Sequence, residues 1–204
     1  MMVMNNMSLT FVTAYLNIYK NDAPLNRTND WRFEQFEKIA VTGVQMCVFV
    51  GEDVYGDFME IAKQYSHVHV MPTPVVWSEL PIVQECGKYE NLKLPETRNM
   101  DKDSAEYIML QNSKPHFVQE AMRENPWNST HFAWIDFSIA YVFRELQTSQ
   151  DYLRYLSGKS WTKSFFAIPG CWDNKYNESH HSHFLNHIHW RFCGSLFIGE
   201  ILAK

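Results

Sequence analysis

The sequence predicts an α/β protein whose sheet is mostly parallel, twisted and flanked by helices. Within the first 74 residues, short apolar runs rich in β-branched residues alternate with helix-like segments. Such alternation favours parallel strands joined by crossover helices. A later apolar run over residues 131–135 ends in a single acidic residue, Asp136, which is typical of a buried strand in such a sheet. The 204 residues suit one domain over 1–204.

The first half of the chain supplies the clearest elements. Strands are indicated by apolar runs bounded by Gly, Pro, Asn or Asp, and helices by apolar positions spaced three or four apart. Asn29 or Asp30 is expected to cap the first helix. The predicted order is a strand over residues 9–16, a helix over 31–40, a strand over 45–50, a helix over 58–65 and a strand over 68–70.

The second half is less regular. Residues 75–103 contain prolines and mixed charge, so we expect a loop or an excursion over the sheet edge. Residues 104–124 have a helical pattern that Pro115 should kink or split. The remaining predictions are a strand over 131–135, a helix over 138–147, a strand over 165–169 and a polar, His-rich segment over 173–187.

Composition excludes several classes of function. The net charge is −5 and Lys and Arg do not cluster, which argues against a nucleic-acid partner. No run of about 20 apolar residues predicts a membrane span, and residues 1–8 lack the pattern of a signal peptide. The cysteines form no CxxC pair, so we expect reduced thiols and a cytoplasmic protein. They are Cys47, Cys86, Cys171 and Cys193.

Asp136 is the first candidate for chemistry. The carboxyl ends of strands border the ligand crevice of open α/β sheets. A carboxylate there can hold a divalent cation, which in turn can hold a diphosphate. The alternative is an aspartate that caps the next helix. Ser138 stands where a second aspartate of the common sugar-nucleotide signature would be, and it could offer a hydroxyl to a phosphate.

Three further residues are candidates for the same crevice. Arg191 lies in an apolar run, where it either clamps phosphate oxygens or forms a structural salt bridge. Gly194 would let a ligand approach the backbone closely. Lys114 is either an exposed lysine or a cation that points into the cleft from the helix break.

A histidine cluster offers a different chemistry. His183 and His187 would share a helix face at i, i+4, as zinc-binding pairs do. No HExxH pattern accompanies them, so a solvated His-rich loop is the alternative to a metal hydrolase.

Five motifs are spread in order over most of the chain. They are Thr-Phe-Val-Thr-Ala at 10–14 with the later Arg27, Leu-Gln-Asn-Ser-Lys at 110–114, Phe-Ala-Trp-Ile-Asp at 132–136, Ile-Pro-Gly-Cys-Trp at 168–172 and Trp-Arg-Phe-Cys-Gly at 190–194. Taken together, these motifs resemble the HtrL/YibB-type glycosyltransferases, a family with a GT-A-like fold.

The resemblance implies metal-assisted transfer of a sugar from a nucleotide-sugar donor to a glycan or glycoconjugate acceptor, with Mn²⁺ or Mg²⁺ as cofactor. It implies that Asp136 is the catalytic and metal-binding residue. The residues implied for substrate binding are Thr13, Ala14, Arg27, Lys114, Asp136, Ser138, Trp172, Arg191 and Gly194.

Such proteins continue past the Trp-Arg-Phe-Cys-Gly motif, so this chain could lack the C-terminal part of the domain. A non-catalytic nucleotide-sugar or glycan-binding domain is therefore the alternative function. An inverting reaction needs a base for the acceptor hydroxyl, and Asp173 and Glu200 are the nearest candidates in sequence.

Overall fold

A computed structural model describes residues 9–19, 27–161, 163–170 and 193–200. In this part of the chain the strands form one six-stranded sheet with the order β3-β2-β1-β4-β6-β5. The first four strands in that order are parallel, whereas β6 is antiparallel to both β4 and β5. The strands are β1 Leu9–Tyr15, β2 Met46–Val50, β3 Val68–Val70, β4 His131–Ile135, β5 Phe166–Ala167 and β6 Leu196–Glu200.

Helices flank this sheet, as the alternating sequence predicts. A mixed α/β fold with a mostly parallel sheet is thus confirmed, with the antiparallel pair at one edge. The described α-helices are α1 Asn29–Ala40, α2 Tyr55–Ala62, α3 Pro81–Cys86, α4 Ala105–Asn112, α5 Lys114–Glu124 and α6 Leu146–Gly158.

The central strands are buried on both faces, which explains their continuous apolar sequence. Every residue of β2 and β4 is buried. In β1, successive side chains face opposite sides of the sheet. Phe11 packs in the cluster that contains α1, α2 and α6, and Val12 packs in the cluster that contains α5. The sheet therefore separates two hydrophobic layers.

The predicted break at Pro115 is confirmed. Helix α4 begins after Ser104, whose side chain accepts a hydrogen bond from the Tyr107 backbone N–H, and it ends before Ser113. Helix α5 begins at Lys114 with Pro115 in its first turn, where the missing N–H of proline costs little. The split places Lys114 at the start of a helix.

Other local predictions need correction. Thr28, and neither Asn29 nor Asp30, caps α1, because its hydroxyl accepts from the Trp31 backbone N–H at 3.2 Å. The helix predicted over 138–147 is a short 3₁₀ helix, Ile139–Val142, and the long helix α6 follows it. Residues 75–103 also contain the 3₁₀ turn Trp77–Glu79 and helix α3, so the segment is more ordered than predicted.

Among the described residues, no helix combines the length and apolar character needed to cross a membrane. The described cysteines are free thiols, as predicted: Cys47 is buried, and Cys86 and Cys193 are half-buried. Cys171 and the histidine cluster at 180–189 lie outside the described residues.

Candidate functional site

The site lies at the carboxyl edge of the sheet, where β1 and β4 end. Asp136 directly follows β4, and its backbone N–H donates to the Ser195 carbonyl at 3.0 Å. The next residue, Phe137, is buried and stacks on Tyr15 at 5.0 Å and on Phe36 at 4.9 Å between ring centroids. The turn that presents Asp136 is therefore anchored in the hydrophobic core.

The Asp136 carboxylate is held by two donors. Its Oδ1 accepts a hydrogen bond from Lys114 Nζ at 2.7 Å and another from Trp134 Nε1 at 2.7 Å. Trp134 stands two positions earlier, on the same side of the strand. These bonds show that the Asp136 side chain is not a helix cap, and the 3₁₀ helix after it has no side-chain cap.

Lys114 is a buried cation at this site. Its side chain is 7% exposed, whereas that of Asp136 is 33% exposed. The ammonium also donates to the Gly194 carbonyl at 2.9 Å and lies 5.5 Å from the centre of the Trp134 ring. Lys114 thereby connects helix α5, strand β4 and the turn before β6. The alternative of an exposed lysine is wrong.

These groups form part of the wall of a cavity of about 270 Å³, which we call the basic cavity. Its basic wall residues are Arg27, Arg32, Lys102 and Lys114, and Asp136 is the single carboxylate among the described residues that line it. An excess of cations over carboxylates favours an anionic ligand. The aromatic wall residues are Tyr15, Tyr19, Tyr107, Trp134, Phe137 and Tyr141.

Two arginines are positioned by these rings. Arg27 Cζ lies 5.0 Å from the centre of the Tyr141 ring, and Arg32 Cζ lies 5.4 Å from that of Tyr15. Stacking on an aromatic face orients a guanidinium while leaving its N–H edges available to an anion. The geometry suits bidentate binding of phosphate oxygens.

Two of the tyrosines that line the basic cavity, Tyr15 and Tyr107, are poor acids. Burial raises the pKa of Tyr15 to about 12; Arg32 lowers that pKa and Asp53 raises it. Burial, followed by the charge of Asp136, raises the pKa of Tyr107 well above its usual range. Both hydroxyls are therefore neutral near pH 7, and neither is suited to act as a base.

The structure brings together most of the predicted residues that it describes. Ala14, Ser138 and Gly194 line the basic cavity together with Lys114 and Asp136, and Arg27 also lines it. Ser138 Oγ is buried and has no hydrogen-bond partner in the described part of the chain. A contact from this hydroxyl to a ligand stays a prediction.

Other predicted residues are not brought to the cavity. Thr13 is fully buried and does not line it. In the antiparallel pairing of β4 and β6, Glu200 stands opposite His131, at the far end of β4 from Asp136. Glu200 is therefore too distant to act as a base at this site. Trp172, Arg191 and Asp173 lie outside the described residues.

Four residues of the site were missed from sequence. Trp134 could have been found, because a side chain two positions before Asp136 lies on the same face of the strand. Arg32, Lys102 and Tyr107 come from helix α1, a loop and helix α4. Their contribution depends on tertiary packing, and no local pattern marks them.

A resident divalent cation does not fit the donors that the structure describes. Asp136 Oδ1 is already bonded to an ammonium and an indole N–H. Within the described residues there is no group of three or more His, Cys, Asp or Glu side chains that could hold a metal ion. The Mn²⁺ or Mg²⁺ ion implied by the family resemblance therefore stays a prediction.

A second cavity of about 880 Å³ borders the basic cavity, and both are lined by residues 16–19. We call it the acidic cavity, because its charged wall residues among those described are Glu52, Asp53 and Glu106. All three are exposed. The carboxyl edge of the sheet thus has two neighbouring cavities with opposite charge.

Fold and site together define a mixed α/β protein with a cavity at the carboxyl edge of its sheet, whose described charged wall residues are four basic residues and one carboxylate. A family model described as a bacterial protein of unknown function, HtrL_YibB, matches residues 82–161. The chain is also 24% identical over 152 residues to Protein HtrL of Escherichia coli strain K12, an alignment that covers 64% of this chain and 50% of the relative. The chain thus spans about half the length of the curated relative that it matches. Its similarity to the HtrL_YibB proteins agrees with the resemblance seen in the sequence, and neither description names an activity.

Proposed function

We propose that this chain binds a nucleotide-sugar donor by its diphosphate in the basic cavity and transfers the sugar to a glycan or glycoconjugate acceptor. The observation that carries the proposal is the buried Lys114 ammonium, held against Asp136 in a cavity whose other charged wall residues, among those that the structure describes, are basic. A cytoplasmic location and sugar transfer both rest on the sequence and on the family resemblance.

The size of the basic cavity limits what it can hold. At about 270 Å³ it is slightly smaller than most pockets that enclose a whole small-molecule ligand. We therefore assign it to the diphosphate and the group attached to it. Flat rings such as Tyr107 and Tyr141 in its wall are suited to pack against a sugar or a base.

The reaction would use the same cations. As the bond between sugar and diphosphate breaks, negative charge accumulates on the leaving oxygens. Positive groups already fixed near these oxygens stabilise that charge without having to reorganise. Lys114 is fixed by two hydrogen bonds, and Arg32 by the ring of Tyr15. In this proposal, Asp136 keeps the ammonium in place.

A non-catalytic donor-binding domain is the second candidate, and one observation favours it. Asp136 is the single carboxylate among the described residues in the wall of the basic cavity, and its Oδ1 already accepts two hydrogen bonds. The described residues thus offer no free general base for an acceptor hydroxyl. A domain that binds the donor without turnover would need none.

The test is a thermal-shift screen of common nucleoside diphosphates and their sugars in buffer with Mn²⁺. Saturation at about 100 times Kd stabilises a protein by about 2.7 kcal/mol. For a chain of this size we expect a rise in Tm of about 5–10 °C with one nucleotide. No shift with any of them would contradict the proposal.

A turnover assay distinguishes the transferase from the non-catalytic donor-binding domain. Release of nucleoside diphosphate from the best-binding donor, with or without added acceptor glycans, would support a transferase. Binding without any release would support the non-catalytic domain.

A further inference from the structure

Lys114 has unusual surroundings for a lysine. It is the first residue of helix α5, where a positive charge opposes the helix dipole. It is also buried, with 6% of its surface exposed, so its N–H groups need protein partners in place of water. Two partners are present: the carboxylate of Asp136 and the carbonyl of Gly194.

The ammonium retains one donor for a ligand. A lysine ammonium has three N–H groups. Two of them donate to Asp136 Oδ1 at 2.7 Å and to the Gly194 carbonyl at 2.9 Å. No described residue accepts the third, and Lys114 lines the basic cavity. An anion that enters the cavity would find a fixed positive charge with a free donor.

A divalent cation would have to share the same carboxylate with this ammonium. Two positive groups on one carboxylate repel each other, and no second carboxylate among the described residues lines this cavity. At phosphate sites Mg²⁺ is bound by one or two carboxylates together with phosphate oxygens, and the one carboxylate here already accepts from an ammonium and an indole N–H. The donor set therefore fits an ammonium better than it fits a metal ion.

We propose that the Lys114 ammonium, and not a divalent cation, is the central positive charge that binds a diphosphate in the basic cavity. This inference rests on the proposed function, because it assigns the charge that holds the donor. Arg27 and Arg32 add two more cations around the same space. Binding of a diphosphate then does not require a metal ion.

The test is calorimetric titration of the full chain with inorganic pyrophosphate and with the nucleoside diphosphates, first in excess EDTA and then with Mg²⁺ or Mn²⁺. We expect binding in EDTA, and neither metal should tighten it, because Mg²⁺ and Mn²⁺ compete with the ammonium for the phosphate oxygens. Lys114→Met should weaken pyrophosphate binding in EDTA at least about 30-fold, because it removes a charge-assisted hydrogen bond.

The matched control is Lys63→Met. Lys63 is 62% exposed and pairs with Glu60 on the surface of the protein, so its loss should leave pyrophosphate binding unchanged. Near-ultraviolet circular dichroism of both variants shows whether the fold is kept.

Asp136→Asn provides a second test that does not depend on the stability of the Lys114 variant. An asparagine oxygen can still accept from Lys114 and Trp134, but one negative charge is removed from the cavity wall. Pyrophosphate should then bind in EDTA about threefold more tightly. If Asp136 were a metal ligand needed for diphosphate binding, the same variant would bind nucleoside diphosphates more weakly than the unchanged chain in buffer with Mn²⁺.

The outcomes separate this inference from the proposed function. Nucleoside diphosphates that bind with Mn²⁺ but not in EDTA would overturn the inference and leave the proposed function standing. Binding by Lys114→Met equal to that of the unchanged chain would also overturn it. No binding of any diphosphate under either condition would overturn both.

Discussion

The two cavities at the carboxyl edge share residues 16–19 but differ in how they are built. The wall of the basic cavity includes buried residues with defined partners: Lys114 and Trp134 donate hydrogen bonds to Asp136, and Tyr15 and Phe137 stack on each other. The charged residues of the acidic cavity are exposed. A site that must hold a ligand in one geometry benefits from a rigid wall, so the comparison favours the basic cavity as the functional one.

The largest expected effect tests this difference in rigidity. Phe137→Ala should destabilise the protein by about 3–5 kcal/mol, because it leaves a hole between Tyr15 and Phe36 in the core. Asp53→Ala, in the wall of the acidic cavity, should cost less than about 0.5 kcal/mol. Urea unfolding of both variants measures the two free energies. Equal losses would mean that the two walls are equally rigid.

The sequence could predict the strands and the helix break that border the basic cavity, but not the excess of basic side chains in its wall. Strands β1 and β4 and the position of Asp136 follow from apolar runs and from where those runs end. The break before Pro115 follows from the chemistry of proline, and it places Lys114 at a helix start.

The remainder depends on tertiary packing. Arg32 is one of several charged residues on α1, and no local pattern shows that it turns toward Tyr15. Helix α6 was missed because residues 138–147 share the helical spacing of apolar side chains, although regular helix begins only at Leu146. Thr28 was overlooked as a cap because two other capping residues follow it directly.

A second prediction tests the charge of the basic cavity. Arg32→Glu replaces a cation with an anion there, and we expect pyrophosphate binding in EDTA to weaken about 10- to 30-fold. Arg154→Glu is the matched control, because Arg154 pairs with Asp151 on helix α6 and does not line the basic cavity. Calorimetric titration measures both. An equal loss of pyrophosphate affinity in both variants would indicate a nonspecific effect of net charge.

A third prediction concerns Tyr15, which lines the basic cavity. Its pKa is raised from 10.0 to about 12 in the folded protein, so its contribution to stability is present below pH 10 and is lost as the pH rises to about 12. Tyr15→Phe removes this titration. Urea unfolding at a series of pH values should show a shallower alkaline loss for that variant. If the free energy of unfolding fell equally steeply with pH in both proteins, the alkaline loss of stability could not be assigned to Tyr15.

The smallest effect is an electrostatic one that reports on both cavities at once. Arg32 of the basic cavity lowers the pKa of Tyr15, and Asp53 of the acidic cavity raises it. Arg32→Gln should therefore raise that pKa and Asp53→Asn should lower it, each by a few tenths of a unit to about one unit. Carbon-13 NMR of labelled tyrosine follows the titration. Shifts of the same sign would contradict the opposite charges assigned to the two cavities.

The most direct measurement is a crystal structure of the chain grown with pyrophosphate in EDTA. The account predicts that the anion lies in the basic cavity, with an oxygen within hydrogen-bond distance of Lys114 Nζ and with Asp136 Oδ1 still bonded to that ammonium. Pyrophosphate bound elsewhere, or seated there only after a metal ion displaces Lys114 from Asp136, would contradict it.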